Sequence, residues 1–209
     1  MSVEIKKILE QRFEEYLERF CLDEIVAKSE LAINAIAHIL ISSGEIAPVG
    51  KPDVFSSIYS HLYFTSNVAL TLWPSKSSKE STKGMKKFRE RRGQHLRKLL
   101  GLPDKHYFSN QAFRNDIAHI DERLDEWWVT SKNRNIARRM YVTDRTRIID
   151  FDSSDIFECY VANENIFLFM GREYDLKRSV DELKKIQVKA QHFGQHPSIA
   201  RFKQSGLID

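Results

Sequence analysis

Cysteine is scarce in this chain of 209 residues: Cys21 and Cys159 are the whole supply. They lie far apart and form no CxxC pair, which excludes a disulfide framework and a zinc knuckle and predicts two reduced thiols. Long apolar runs are missing as well. The best, Ala35 to Ile41, is interrupted by His38 and falls far short of the ~20 residues a bilayer requires. The opening segment, MSVEIKKILEQRFEEY, alternates in charge where a secretory signal would follow a basic tip with an apolar stretch. A cytoplasmic protein with no membrane partner is the expectation. There is no GxGxxG or P-loop pattern, so no nucleotide cofactor is expected, and no internal repeat. What remains is ordinary for a globular domain: 42% hydrophobic and 30% charged residues, in a chain long enough to bury a full core without staples.

Charge is unevenly placed. Lys plus Arg total 33 against 29 Asp plus Glu, yet Lys76 to Lys105 holds eleven bases and three acids, and Lys132 to Arg147 six bases and one acid. Residues 1–30 carry eight acids and five bases. Two central cationic segments of this kind attract polyanions; the alternative is a solvated, lysine-rich face.

The apolar spacing predicts a mainly α protein, an antiparallel helical bundle with a small antiparallel β-hairpin appendage and a C-terminal helix. We read residues 1–209 as a single domain, with 1–134 as the bundle core, 135–171 as the appendage and 172–195 as the closing helix. Ile5, Ile8, Leu9, Phe13, Tyr16 and Leu17 draw a helical stripe over Val3–Glu18. Asp23 is placed to cap a second helix reaching Ser42, with Leu31, Ile33 and Leu40 among its inward positions, and Asp53 a third, Val54–Leu72, stopped by Pro74. SKSSKESTKG at 75–84 reads as a loop, Met85–Leu100 as a basic helix ended by Gly101, and Asn110–Trp128 as the next helix. Residues 137–143 and 147–151 read as strands flanking Asp144, and 156–162 and 166–170 as a hairpin across Asn163-Glu-Asn165. Asp175 is placed to cap the last helix.

The chemistry concentrates in FRNDIAHIDERLDEWW, Phe113 to Trp128. At 100° per residue Phe113, Ile117, Ile120, Leu124, Trp127 and Trp128 share one sector, which predicts a helix packed firmly on the bundle. Asn115, His119, Glu122 and Glu126 form a polar row on the other side. Arg114 stands about 140° from His119, on the flank near Asp121. The plain alternative pairs Arg114 with Asp121 and His119 with Glu122, leaving a solvated helix face.

Arg114-Asn115-Asp116-Ile117-Ala118-His119 resembles the RNxxxH motif of the HEPN superfamily, many of whose members are metal-independent ribonucleases and toxins. RNDIAHIDERLDEW, followed by strands and a terminal helix, resembles a group of bacterial HEPN-like proteins. The likeness in fold covers residues 1 to about 130. It implies an α-bundle in which a two-fold homodimer brings two motifs into one cleft, with Arg114, Asn115 and His119 catalytic, RNA as substrate, and an antitoxin protein as a further partner. Attack of a ribose 2′-OH on its own phosphate requires a base, an acid for the leaving 5′-oxygen and positive charge on the phosphorane. Histidine, with a pKa of about 6.5, suits either proton role. A second His119 and a pair of Arg114 guanidiniums then come by symmetry. A noncatalytic helical module that binds protein or nucleic acid is the rival.

Arg89, Arg91, Arg92 and Arg97 on the basic helix, with Arg138 and Arg139 in the second cationic segment, are candidates for holding the RNA backbone. His192 and His196 have a four-residue spacing that suits a metal on a helix, but Gly194 and Pro197 disfavour the helix, so no metal is expected. His38 and His61 read as core histidines. Trp73, Trp127 and Trp128 read as core or interface residues, with base stacking as the alternative for the last two.

Overall fold

The computed structural model describes residues 3–41, 53–75, 83–110, 120–132, 138–148 and 156–194. Helix α1 runs unbroken over Val3–Ile41, about 58 Å at 1.5 Å per residue. A cap at Asp23 was the expectation, but Asp23 instead sits one turn below Arg19, paired with it at 3.6 Å. The helix passes through because its inward stripe never lapses: Leu22, Ile25, Ser29, Ala32, Ile36 and Ile39 are all buried at spacings of three and four. Leu31, expected inside, is exposed.

Helix α2 spans Val54–Leu72 and starts as its sequence predicts. The Asp53 carboxylate accepts from the Ser56 N–H at 3.3 Å, satisfying one of the four orphan donors of a helix start. Helix α3, Lys83–Leu99, ends in a Schellman turn. Gly101 takes φ +57°, the Leu102 N–H donates to the Arg97 carbonyl at 2.8 Å and the Gly101 N–H to the Lys98 carbonyl at 3.1 Å. After a 3-10 turn at Tyr107–Ser109, helix α4 covers Ile120–Thr130. The final helix, α5, covers Leu176–Gly194, capped by the Asp175 carboxylate accepting from the Arg178 N–H at 2.8 Å.

Four short strands form one sheet in the order β1-β2-β3-β4: Met140–Val142, Glu158–Val161, Ile166–Phe169 and Arg172–Asp175. The expected hairpin is there, β2 against β3 with Val161 opposite Ile166. Two other expectations change. Residues 145–147 form a 3-10 turn, because Asp144 accepts from the Thr146 N–H at 2.9 Å and curls the chain, while residues 149–151 of the expected strand 147–151 lie outside the described residues; β1 pairs with β2 in parallel. Residues 172–175 belong to the sheet, not to the last helix. Met170 (φ 47°) and Gly171 (φ 75°) occupy the two-residue β3–β4 link, with positive φ at both positions as a type I′ turn requires.

The sheet is no appendage. Tyr160, Phe167, Phe169 and Tyr174 pack with Ile36 and Ile39 of α1, Phe55, Ile58 and Leu62 of α2 and Val180 of α5 in one core cluster. A second cluster joins α1, α2, α3 and α5 through Leu22, Ile25, Val68, Leu72, Leu96, Leu183 and Ile186. Cys21 and Cys159 are buried and unbonded, as read. Among the described residues, no helix is long and apolar enough to cross a membrane.

Two residues hold the helices in register. His61, 0% exposed, faces the Ala32 carbonyl at 2.9 Å through Nδ1 and the Ser179 hydroxyl at 2.9 Å through Nε2. A carbonyl only accepts, so Nδ1 carries the proton and Ser179 donates to Nε2. Burial lowers the His61 pKa to about 4, against a smaller raising effect of the Ala32 hydrogen bond. At Gly93, a Cβ would stand 2.6 Å from the Pro74 ring and 2.8 Å from the Leu72 carbonyl, so only glycine lets α3 lie this close to the end of α2.

Alanine normally improves a helix over glycine by about 1 kcal/mol. Gly84→Ala, where a Cβ would have nothing within 4 Å, should stabilise the protein by some tenths of a kcal/mol. Gly93→Ala should destabilise it by about 1–3 kcal/mol, the usual range for overpacking, and urea denaturation of the pair will show the opposite signs. His61 is neutral in the fold and titrates near 6.5 when unfolded, so the unfolded chain binds the extra proton on acidification. Its contribution is therefore full above pH ~6.5 and falls by roughly 3 kcal/mol as pH drops toward 4. Denaturation midpoints measured from pH 7 to 4 should flatten over that window in His61→Gln.

Candidate nucleic-acid interface

Arg114, Asn115 and His119 lie outside the described residues, as does His196. The segments on either side of the motif are anchored differently. Before it, the 101–110 loop is locked onto the end of α2. The His106 ring stacks on Trp73 with centroids 4.9 Å apart, its Nδ1 accepts from the Phe108 N–H at 3.2 Å, and Nε2 donates to Glu182 at 3.0 Å. Burial lowers the His106 pKa against the opposing pull of Glu182.

After the motif, α4 meets the sheet region through Trp127. Trp127, 4% exposed, sets its ring edge-on to Phe157 at 5.7 Å. Of the stripe expected to pack firmly, Phe113 and Ile117 lie outside the described residues, Trp127 is buried, and Ile120, Leu124 and Trp128 are 40%, 41% and 46% exposed. Helical spacing places these three on the same face as the buried Trp127, so the apolar face of α4 meets the fold through Trp127 and leaves its other three residues partly exposed. On the polar side Arg123 pairs with Glu126.

The six arginines expected to hold RNA divide into distinct environments. Arg97 is taken up by the fold. It donates from Nη1 to the Leu72 carbonyl at 2.5 Å and from Nε and Nη2 to Asp104 at 3.0 and 2.8 Å, with its guanidinium 5.9 Å from the Trp73 ring centre. A guanidinium so engaged closes the α2–α3 junction and is withdrawn from any phosphate. The reason is positional: Arg97 is on the same face of α3 as Gly93, one turn on.

Arg91 is exposed, and Arg89 and Arg92 half-buried, on faces of α3 that border α1. Arg91 and Arg92 line one pocket with Glu15, Glu18 and His95, in which His95 meets the Glu18 carboxylate. Arg89 and Arg92 line a second, between α1, α2 and α3. Arg138 and Arg139 are exposed at the entry to β1. Arg139 has φ 55° and its Nη1 is 3.9 Å from Asp53, the N-cap of α2. The two cationic groups thus stand at opposite ends of α2, about 28 Å apart at 1.5 Å per residue over its nineteen residues.

Two further polar groups went unnoticed in the sequence. Arg145 grips Glu173 with both Nη atoms at 2.6 and 2.9 Å and Glu164 through Nε at 2.6 Å; these bonds raise its own pKa and lower that of Glu173. That removes one cation from the second basic segment. Glu158, 2% exposed on β2, accepts from the Tyr59 hydroxyl at 2.5 Å, and its Oε2 has no hydrogen-bond partner among the described residues. Burial and the Glu158 bond push the Tyr59 pKa upward, with Arg138 and Arg139 pulling against them. The carboxylate is sealed from solvent, so it serves the α2–sheet contact. An acid inside an otherwise apolar strand has no signature in periodicity. Among the described residues no group of three potential ligands could hold a metal.

Arg97→Met should cost about 2 kcal/mol of stability through the stranded Leu72 carbonyl and Asp104. Arg91→Gln should leave stability within ~0.5 kcal/mol and lower the salt slope of RNA binding by about one. Denaturation and filter-binding curves on both variants separate the two roles. No known protein family, curated protein or solved structure matches this chain.

Proposed function

We propose that the protein is a metal-independent endoribonuclease that cleaves by 2′-OH attack at a site composed by two copies of the chain, in the manner of a toxin or defence effector. The observation that carries this reading is the sequence Arg114-Asn115-x-x-x-His119 standing directly before α4, whose Ile120, Leu124 and Trp128 are exposed beside the buried Trp127. An apolar strip on the surface of a helix is the kind of face that a second copy covers. A self-complementary contact there sets the two motif segments near one axis, giving one His119 for each proton role and two Arg114 for the phosphorane. Asn115 orients the imidazole or donates to a phosphate oxygen. The basic face of α3 supplies nonspecific affinity for RNA. The setting is the cytoplasm, with an antitoxin protein as the masking partner.

The cationic pockets on α3 also favour a second reading, a helical module that binds RNA without cutting it. One assay separates them: mixed-sequence RNA in EDTA, wild type against His119→Ala, with product ends examined for 2′,3′-cyclic phosphate. Cyclic ends from the wild type and a loss of at least about 100-fold in the variant are expected, the usual scale of acid–base catalysis. Leu124→Glu, on the exposed strip, should give a folded monomer by sedimentation and an equally silent enzyme. RNA bound equally by wild type and His119→Ala, with no cleavage by either, would transfer the function to the binding module.

A further inference from the structure

The pocket enclosed by α1, α2 and α3 has a volume of about 350 Å³, at the small end of ligand sites, which run from roughly 300 to 1,000 Å³. It has room for one ring system with its substituents, and none for a duplex. Its walls are of two kinds. Leu17, Phe20 and Leu70 offer carbon, while Arg89 and Arg92 offer guanidinium. Phe20 is 63% exposed, so a flat aromatic ring stands in water at the edge of the cavity.

Among the charges of the cavity Arg92 stands apart. Lys28 and Glu24 also line the pocket, but they lie 3.6 Å apart and offset each other. Arg92 differs from Arg97 and Arg145, both held by carboxylates. No hydrogen bond or ion pair engages it among the described residues, and its Nε–H is buried without an acceptor. A half-buried guanidinium lacking an internal anion is short of one, and a phosphate meets its fork geometry. Its field reaches Cys21 in the cavity wall, where it lowers the thiol pKa against burial and against the charges of Glu18 and Glu24, all of which raise it. Thr71, also in the lining, donates its hydroxyl proton to the Asn67 carbonyl at 3.0 Å, so its oxygen lone pairs are left to accept from a sugar hydroxyl or a base N–H.

Anion, ring and hydroxyl within this volume describe a nucleotide. We propose that the pocket holds one nucleotide of single-stranded RNA, with the base against Phe20 and the phosphate on Arg92. A helical acidic peptide is the poorer fit, since it needs apolar anchors received over several turns, whereas this cavity is a single chamber. The inference rests on the RNA-binding half of the reading above and not on its catalytic half. It adds a strand-holding site made of residues other than 114–119.

The test titrates the full-length protein with AMP, ribose 5-phosphate, inorganic phosphate and a 2′-O-methyl decanucleotide, which binds but has no 2′-OH to attack. Calorimetry and amide chemical shifts are the readouts. AMP should bind saturably and about tenfold more tightly than ribose 5-phosphate, the low range of one stacked base. The decanucleotide should bind more tightly still and compete with AMP. Phe20→Ala and Arg92→Gln, both away from the sealed core, should each weaken AMP and decanucleotide at least about fivefold, while Lys177→Gln on α5 changes neither. Equal affinity for AMP and phosphate would reduce the pocket to an anion site. AMP binding as tight as the decanucleotide would make a free nucleotide the ligand, and indifference to Phe20→Ala would remove the base from the pocket. Each of these overturns the proposal. Cleavage plays no part in these titrations, so a silent nuclease assay beside successful binding fails only the catalytic reading.

Discussion

A neutral imidazole at the centre of the molecule joins three helices. His61 on α2 bonds the Ala32 carbonyl of α1 and the Ser179 hydroxyl of α5, with no exposed surface. Polar groups buried this deeply are tolerated only when paired, and both ring nitrogens are, in one tautomer. The geometry this enforces is specific. Sliding α2 by one residue along α1 would rotate His61 by 100° and strand a carbonyl, a hydroxyl and two ring nitrogens together. The apolar packing of Ile36, Ile58 and Leu62 around it could accept a slip far more easily than these hydrogen bonds. The core supplies the bulk of the stability, and the histidine selects the register in which it is obtained.

With α2 so fixed, everything else is arranged at its two ends. The amino-terminal end meets the sheet, through Tyr59 and Glu158 and through Phe55 against Phe167. The carboxyl-terminal end meets α3, where Gly93 permits close approach and Arg97 closes the joint onto Leu72 and Asp104. The same joint positions Trp73 under His106 and so fixes the loop from which residues 111–119 depart. Electrostatics follow this geometry. The basic face of α3 and the Arg138–Arg139 pair are separated by the length of α2, ~28 Å, well beyond a Debye length of ~8 Å at physiological salt. The two cationic groups are therefore electrostatically separate and do not form one patch.

Much of the fold was legible from spacing alone. Asp53 and Asp175 cap helices where their positions said they would, Gly101 ends α3, and the β2–β3 hairpin turns at its Asn-rich link. Failures came where a local signal had two meanings. Asp23 is as good a partner for Arg19 one turn earlier as it is an N-cap, and only the continuing stripe decides. Met170-Gly171 is a poor match to the usual Asn-Gly of a type I′ turn, which hid β4, and a parallel β1–β2 pair cannot be read from two separate strand signals. Arg97 looked like Arg91 because composition does not reveal which face of α3 meets Pro74. The strip on α4 was correctly placed on one face, but amphipathicity states only that a face is apolar. Whether it meets its own chain or another is a matter of tertiary geometry.

The same ambiguity, applied to charge, decides how a basic sequence becomes a basic surface. Of the cations in the two central segments, Arg97 and Arg145 are neutralised internally, each by carboxylates brought from outside its own helical turn. His95 faces Glu18 across the α1–α3 contact, and Arg139 approaches Asp53. A formal charge of +4 thus overstates some regions and understates others. Arg92 is the exception: Glu15, Glu18 and Glu24 share its two pockets, but among the described residues none pairs with it directly. Burying part of an arginine without an anion costs free energy, which is the cost that an anion arriving from outside would offset. Pairing thereby sorts the arginines by role: those met by the protein's own carboxylates hold the fold, and one left unmet beside a cavity is available to a ligand.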